Sequence, residues 1–126
     1  MEKIYYKKEL IAIRVKSFKK GSHPLTPEGE ALQLLTAKHL KGRYVQAHLH
    51  SLQKRITNNL QECLIVIKGK IKIDLYGKDK KYFKSIQIKA GELAILFRGG
   101  HGVRFLEDSE VYEIKTGPFI DDKILI

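Results

Sequence analysis

The stretch ECLIVIKGKIKIDLY, residues 62–76, decides the fold class of this chain. Apolar and polar side chains alternate along its second half, which is the period of a β-strand with one buried face. The first half is apolar on both faces, and such strands are usually covered on both sides. Gly69 separates the two halves and allows a tight turn. The stretch therefore predicts two adjacent strands. The first needs a second sheet on one face, and the N-terminal segment or a partner subunit on the other.

The same period recurs along the chain, interrupted by clusters of Gly, Asp, Lys and Pro. It predicts strands at 10–16, 32–39, 43–50, 62–68, 71–76, 82–88, 93–98, 101–106 and 110–116, with 123–126 as a candidate last strand. The stretch 21–29, GSHPLTPEG, is predicted to be a long loop because it holds two prolines. Nine or ten short strands with few candidate helices predict an all-β fold, either a double-sheet sandwich or a barrel.

The length of 126 residues fits one domain. Because Cys63 is the single cysteine, any metal would be held by nitrogen and oxygen ligands. The apolar runs are too short to cross a bilayer, and the N-terminal MEKIYYKKEL lacks the apolar region of a signal peptide. We therefore expect a cytoplasmic protein with no membrane partner.

The 24 Lys and Arg residues exceed the 14 Asp and Glu residues by 10. An excess of positive charge of this size is compatible with three classes of partner, which are nucleic acid, anionic membranes and anionic small molecules. However, the lysines at 68, 70 and 72 alternate with apolar residues on a predicted strand, and those at 78, 80 and 81 lie together in a turn. We therefore expect a mostly solvated coat of charge and no nucleic-acid partner. An anionic small-molecule substrate is supported only where cations such as Arg98 surround a pocket.

Three of the five histidines lie in two short segments. His48 and His50 end a predicted strand, where period two points both rings to one face. Glu62 opens the next predicted strand, and His101 follows two glycines at the start of a later one. Three imidazoles and one carboxylate suit a divalent transition metal, with two positions left for water or substrate on a six-coordinate ion. Two histidines at this spacing also occur by chance, so the His-x-His pair alone is weak support.

Two longer motifs contain these four residues. Gly42-RYVQA-His48-Leu-His50, followed by Glu62-CLIVIK-Gly69, resembles the first conserved motif of the cupin superfamily in both of its fixed spacings. The stretch GELAILFRGGH, residues 91–101, is similar to the second cupin motif, with Phe97 in place of the usual proline. The connection 51–61 is longer than in the family pattern. A closer likeness, to a subgroup of small single-domain bacterial and archaeal cupins associated with carbohydrate and surface-polysaccharide functions, is carried by GGHG (99–102), LED (106–108), EIKTGPF (113–119) and DDK (121–123).

The resemblance implies a cupin-type double-stranded β-helix, which is a jelly-roll barrel. We expect a single domain over 1–126, with 1–40 as N-terminal strands and a loop packing on the barrel. It also implies a metal site at the barrel mouth, with His48, His50, Glu62 and His101 as ligands of Fe, Mn, Zn or Ni. A homodimer is the expected assembly.

Four further residues are candidates to line the pocket. Tyr44 and Gln46 share the face of the two histidines by alternation, although Tyr44 also suits barrel filling. Arg98 lies beside His101 and could hold a carboxylate or phosphate, or it could be a solvated residue at a strand end. His39 is a candidate pocket or outer-shell group.

These residues favour a metal-dependent cupin that isomerises or epimerises an oxygen-rich anionic substrate, such as a sugar phosphate or a nucleotide sugar. The metal would stabilise an enediolate, and the sequence identifies no general base. A metal-dependent dioxygenase would use the same ligands. A non-catalytic carbohydrate-binding or sensor protein is an alternative of another class, and a vestigial, empty site is the last alternative.

Overall fold

The computed structural model describes all 126 residues, which form ten β-strands and no helix. The strands are β1 (Glu2–Tyr6), β2 (Glu9–Val15), β3 (Gly21–Pro24), β4 (Leu35–Lys38), β5 (Glu62–Lys68), β6 (Lys70–Tyr76), β7 (Tyr82–Lys89), β8 (Leu93–Leu96), β9 (Gly100–Phe105) and β10 (Glu110–Lys115). The all-β fold class is thus confirmed. The structure contains no helix that could span a membrane.

Seven of the predicted strands have first and last residues close to those of an observed strand. β5 has the predicted bounds 62–68, and β2, β6, β7, β8, β9 and β10 each lie within two residues of a predicted strand. β4 is shorter than the predicted 32–39. β1 was not predicted, and β3 lies inside the stretch 21–29 that was predicted to be a loop.

All pairings are antiparallel, and the strands form three sheets that do not close into a barrel. One sheet has five strands in the order β1-β2-β8-β5-β10, and a second has three in the order β7-β6-β9. β3 and β4 form a separate hairpin. From β5 onward the chain passes repeatedly between the two larger sheets. β5, β8 and β10 belong to the first, and β6, β7 and β9 belong to the second.

The main core lies between the two larger sheets. It contains twelve buried apolar residues, contributed by β5 and its neighbours on one side and by β6 and β7 on the other. Val66, Ile71 and Ile73 are completely buried. Burying a side chain of this size stabilises the fold by roughly 1.5–3 kcal/mol. The alternation in residues 71–76 therefore has the predicted physical meaning, because its apolar members form the core.

A second apolar cluster covers the other face of the five-stranded sheet. It contains Cys63 and Ile95, against which Leu25, Leu32 and Leu34 pack from the region of the β3–β4 hairpin. The N-terminal part of the chain therefore covers the second apolar face of β5, which is one of the two covers predicted from the sequence. The homodimer stays a prediction.

The predicted strands at 43–50 and 123–126 are wrong. Residues 43–61 and 116–126 contain no strand, and Val45 and Leu49 are 64% and 96% exposed. Strand propensity is realised only where a segment packs and pairs with neighbours. In 43–50 the polar groups instead bond locally: Tyr44 Oη accepts from the Ala47 amide, and His48 Nδ1 lies 2.8 Å from the Gln46 carbonyl oxygen.

Candidate functional site

A cavity of about 840 Å³ lies at one end of the two facing sheets. Its wall includes the first residue of β5, the last residue of β8, the start of β9 and the end of β10. The C-terminal segment, residues 117–126, supplies much of the rest of the lining. This volume is within the range of small-molecule sites, which is roughly 300–1,000 Å³.

Glu62 and His101 meet in the wall of this cavity. Nε2 of His101 lies 2.7 Å from Oε2 of Glu62, and the two side chains are 31% and 12% exposed. Glu62 opens β5 in the five-stranded sheet, whereas His101 is the second residue of β9 in the three-stranded sheet. The pairing of strands into two facing sheets therefore brings together two residues that are far apart in the sequence.

The backbone before β9 is shaped by two glycines. Gly99 has a φ of +79°, and a Cβ there would lie 2.2 Å from the carbonyl oxygen of Tyr76. A side chain at position 99 would thus be strained and would also collide with the backbone of β6. A Cβ at Gly100 would lie 2.3 Å from Cδ1 of Ile126. Gly100 therefore gives the C-terminal segment a place to pack beside His101.

Two lysines add positive charge around Glu62. Lys115 is the direct cross-strand partner of Glu62, and its Nζ lies 3.8 Å from Oε1 of Glu62 and 2.6 Å from Oε1 of Glu113. The nearby His101 imidazole, aided by the charges of Lys115 and Lys123, holds the pKa of Glu62 below its ordinary value, although burial opposes this. Glu62 is therefore an anion. The lining as a whole is balanced in charge, since it contains Asp121 and Asp122 as well as Lys115 and Lys123.

Arg98 lines the cavity, but protein groups already engage its guanidinium. Nη2 donates to both carboxylate oxygens of Glu30, at 2.8 and 3.0 Å, and Nη1 donates to the Leu10 carbonyl at 2.6 Å. The Glu30 carboxylate also accepts a hydrogen bond from the Gln61 amide. Through these hydrogen bonds Arg98 connects Leu10 and Glu30, in the N-terminal region, to the cavity wall. Its predicted contact with substrate stays a prediction.

The four predicted metal ligands form two separate pairs in this structure. His48 and His50 have ring centroids 5.0 Å apart, and both are exposed in the segment without strands. Neither lines the cavity that holds Glu62 and His101. No three residues of His, Cys, Asp or Glu converge in a geometry that could hold a metal ion. As placed, the four residues therefore do not form one ligand set, and we assign no reaction step to a metal.

The other predicted pocket residues lie outside the cavity. Tyr44 and Gln46 are exposed in the same segment as His48. His39 is exposed next to the end of β4, with its Nε2 2.8 Å from the Ser22 hydroxyl. Cys63 is buried, and burial raises the pKa of its thiol to about 11, which agrees with the predicted role as a small apolar core residue.

Sequence reasoning missed Glu30, Lys115 and the C-terminal segment as parts of this site. Lys115 could have been found from its alignment with Glu62 on neighbouring strands, but that register exists only in the folded sheet. Glu30 lies in a polar loop with no motif. Comparison of the chain with protein-family models, curated proteins and solved structures finds no match.

Proposed function

We propose that this chain is a cupin-like enzyme that isomerises or epimerises an oxygen-rich anionic small molecule, such as a sugar phosphate or a nucleotide sugar. The observation that carries the proposal is the Glu62–His101 pair in the wall of an 840 Å³ cavity, with Lys115 beside it. A carboxylate paired with an imidazole is a common arrangement for moving a proton. Lys115 and Lys123 are the groups in the lining that an anionic ligand would contact.

The order of the strands supports a jelly-roll arrangement. In such folds successive strands are divided between two facing antiparallel sheets. Here β5, β8 and β10 lie in one sheet, and β6, β7 and β9 lie in the other. A cavity at the end of the two sheets is where this architecture would place a small-molecule site.

His101 is the proposed general base. The Glu62 carboxylate favours the tautomer of His101 that carries its proton on Nε2, which leaves the lone pair on Nδ1 for the substrate. In an isomerisation, Nδ1 takes a proton from the carbon next to a substrate carbonyl and returns it to the former carbonyl carbon, while the hydroxyl proton moves from one oxygen to the other. In an epimerisation, a water molecule returns a proton to the opposite face of the same carbon, and His101 releases its proton to solvent. Lys115 stabilises the enediolate oxygen that is negatively charged between the two transfers.

Proton exchange with solvent tests this role. We would incubate the protein with a panel of sugar phosphates and nucleotide sugars in D₂O and follow loss of the proton next to the carbonyl by NMR. His101→Gln should abolish the exchange and Glu62→Gln should reduce it. His23→Gln, which changes a histidine of β3 outside the cavity, should leave it unchanged. Exchange that survives His101→Gln would refute the proposed base.

A non-catalytic binding or sensor protein is the second candidate. The C-terminal segment favours it, because that segment lines much of the cavity and Ile126 packs on Gly100. A protein of this kind would be thermally stabilised by one member of the same panel while exchanging no proton. That outcome would replace the enzyme proposal with the binding one.

Metal binding by His48, His50, Glu62 and His101 stays a prediction with its own test. Elemental analysis of protein purified without a metal-affinity tag should find a transition metal near one equivalent, and the His48→Ala/His50→Ala variant should lose it. If the wild type holds no such metal, and added metal does not raise its melting temperature above that of the variant, the prediction is wrong. A dioxygenase function depends on the same result.

A further inference from the structure

A second cavity, of about 360 Å³, lies where β6 begins and β7 ends. Its lining includes Lys16, which follows β2, Lys70 at the start of β6 and Lys89 at the end of β7. Gln87 and Glu92 also line it. None of these residues lines the cavity of Glu62 and His101, so the two cavities are distinct.

The positive charge of this second cavity has no counterion in the protein. None of Lys16, Lys70 and Lys89 has its ammonium group within 4 Å of a carboxylate oxygen. Glu92 is the single acidic residue in the lining, and its carboxylate accepts a hydrogen bond from the backbone amide of Lys89 at 3.0 Å. Three cations therefore face one anion that already has a partner.

The register of the sheet places two of these cations directly opposite each other. Lys70 of β6 pairs with Lys89 of β7. Like charges directly opposite in an antiparallel pair destabilise the sheet. A second like-charge pair lies on the other side of β6, where Lys72 is opposite Arg104 of β9, but there Arg104 has a carboxylate partner, Asp74, at 2.9 Å. Lys70 and Lys89 have no such carboxylate partner, so a bound anion would relieve their repulsion.

We infer that this cavity binds a tetrahedral oxyanion group, phosphate or sulfate, through the ammonium groups of Lys16, Lys70 and Lys89. Lysine is a common phosphate ligand because it presents a compact charge with three donors. A volume of 360 Å³ is larger than one oxyanion requires and lies at the lower end of the range for small-molecule sites. The ligand class is therefore a phosphorylated or sulfated molecule of about the size of a sugar, with the free oxyanion as its minimal form. Gln87 supplies an uncharged donor and acceptor for the rest of that molecule.

Thermal unfolding at low ionic strength tests the site. The titrants are inorganic phosphate, glucose 6-phosphate and NaCl at matched ionic strength. Phosphate should raise the melting temperature of the wild type more than NaCl does. Lys70→Gln and Lys89→Gln should each need about tenfold more phosphate for the same rise, as expected for the loss of one charge-assisted contact. Lys38→Gln removes the same charge from an exposed, unpaired lysine on β4 and should respond like the wild type.

A measurement without ligand separates binding from misfolding. Lys89→Gln should be at least as stable as the wild type in the absence of phosphate, because the substitution removes the like-charge pair. A lower midpoint concentration for glucose 6-phosphate than for phosphate would assign the site to a phosphorylated sugar, and equal midpoints would assign it to the free oxyanion. The inference is overturned if NaCl matches phosphate, or if Lys70→Gln and Lys89→Gln keep the full response of the wild type. The outcome is independent of the proposed role of His101, which none of these variants changes.

Discussion

Replacing Glu62 with glutamine tests how the fold stabilises the candidate site. In the wild type the Glu62 carboxylate lies 2.7 Å from Nε2 of His101 and 3.8 Å from Nζ of Lys115. A buried hydrogen bond to a charged group contributes roughly 1.5–3 kcal/mol to stability. Because this pair is partly exposed, water screens it and reduces that contribution. We therefore expect Glu62→Gln to lower the free energy of unfolding by about 1–2 kcal/mol at neutral pH. For a protein of this size the urea midpoint should fall by about 0.5–1 M.

The pH dependence of that loss has a definite sign. The pKa of Glu62 is lower in the folded protein than in the unfolded chain. Its ionised carboxylate therefore contributes its full stabilisation at pH values above the ordinary glutamate pKa of about 4.3. That contribution is lost as the pH falls through the lowered pKa of the folded state. Urea unfolding curves of wild type and Glu62→Gln should therefore differ at pH 7 and converge at acid pH. Glu113→Gln is the matched control, since Glu113 is 43% exposed and contacts the same Lys115. A Glu62→Gln protein as stable as the wild type at pH 7, or a difference that does not change with pH, would refute the reasoning.

Three further predictions concern the packing around the site and in the main core. Gly99→Ala should destabilise the protein by more than 1 kcal/mol, roughly the cost of a strained backbone residue, whereas Gly29→Ala, which meets no atom within 4 Å, should have little effect in the same urea assay. Gly100→Ala should displace Ile126 and speed protease cleavage within residues 117–126 while the rest of the chain stays intact; an unchanged rate of cleavage would show that this contact does not hold the segment. Ile73→Ala should lower the free energy of unfolding by about 2–5 kcal/mol, because it leaves a cavity in the core. Ile67 is half-exposed, so Ile67→Ala should lower it by less, and an equal or larger effect of Ile67→Ala would contradict the assigned core.

Much of the fold follows from local sequence patterns. Residues 62–76 predict two strands and the turn between them, and the structure has β5, Gly69 and β6 in that order. The prediction succeeds there because the apolar side chains on alternate positions, such as Ile71 and Ile73, are completely buried by the facing sheet. Residues 43–50 show the same alternation but have no neighbouring strand to pair with, and their backbone does not form a strand.

The candidate site was predictable only in part. The types of residue and their spacing identified Glu62 and His101, which the structure brings to 2.7 Å. The same spacing also predicts that His48 and His50 lie beside them, but the predicted strand 43–50, which ends at the two histidines, is absent. Lys115 could not be predicted, since its place beside Glu62 depends on the register of β10 against β5.

By itself the sequence determined that this chain is all-β, where most of its paired strands begin and end, and which side chains face the core, because these properties depend on local periodicity and turn chemistry. The tertiary structure alone decided which strands became neighbours. That choice joined Glu62 to His101 across two sheets, covered the second face of β5 with Leu25, Leu32 and Leu34, and placed Lys70 opposite Lys89. Contacts of this kind join residues distant in the chain, and their formation depends on the packing energy of the whole fold and not on any single stretch of sequence.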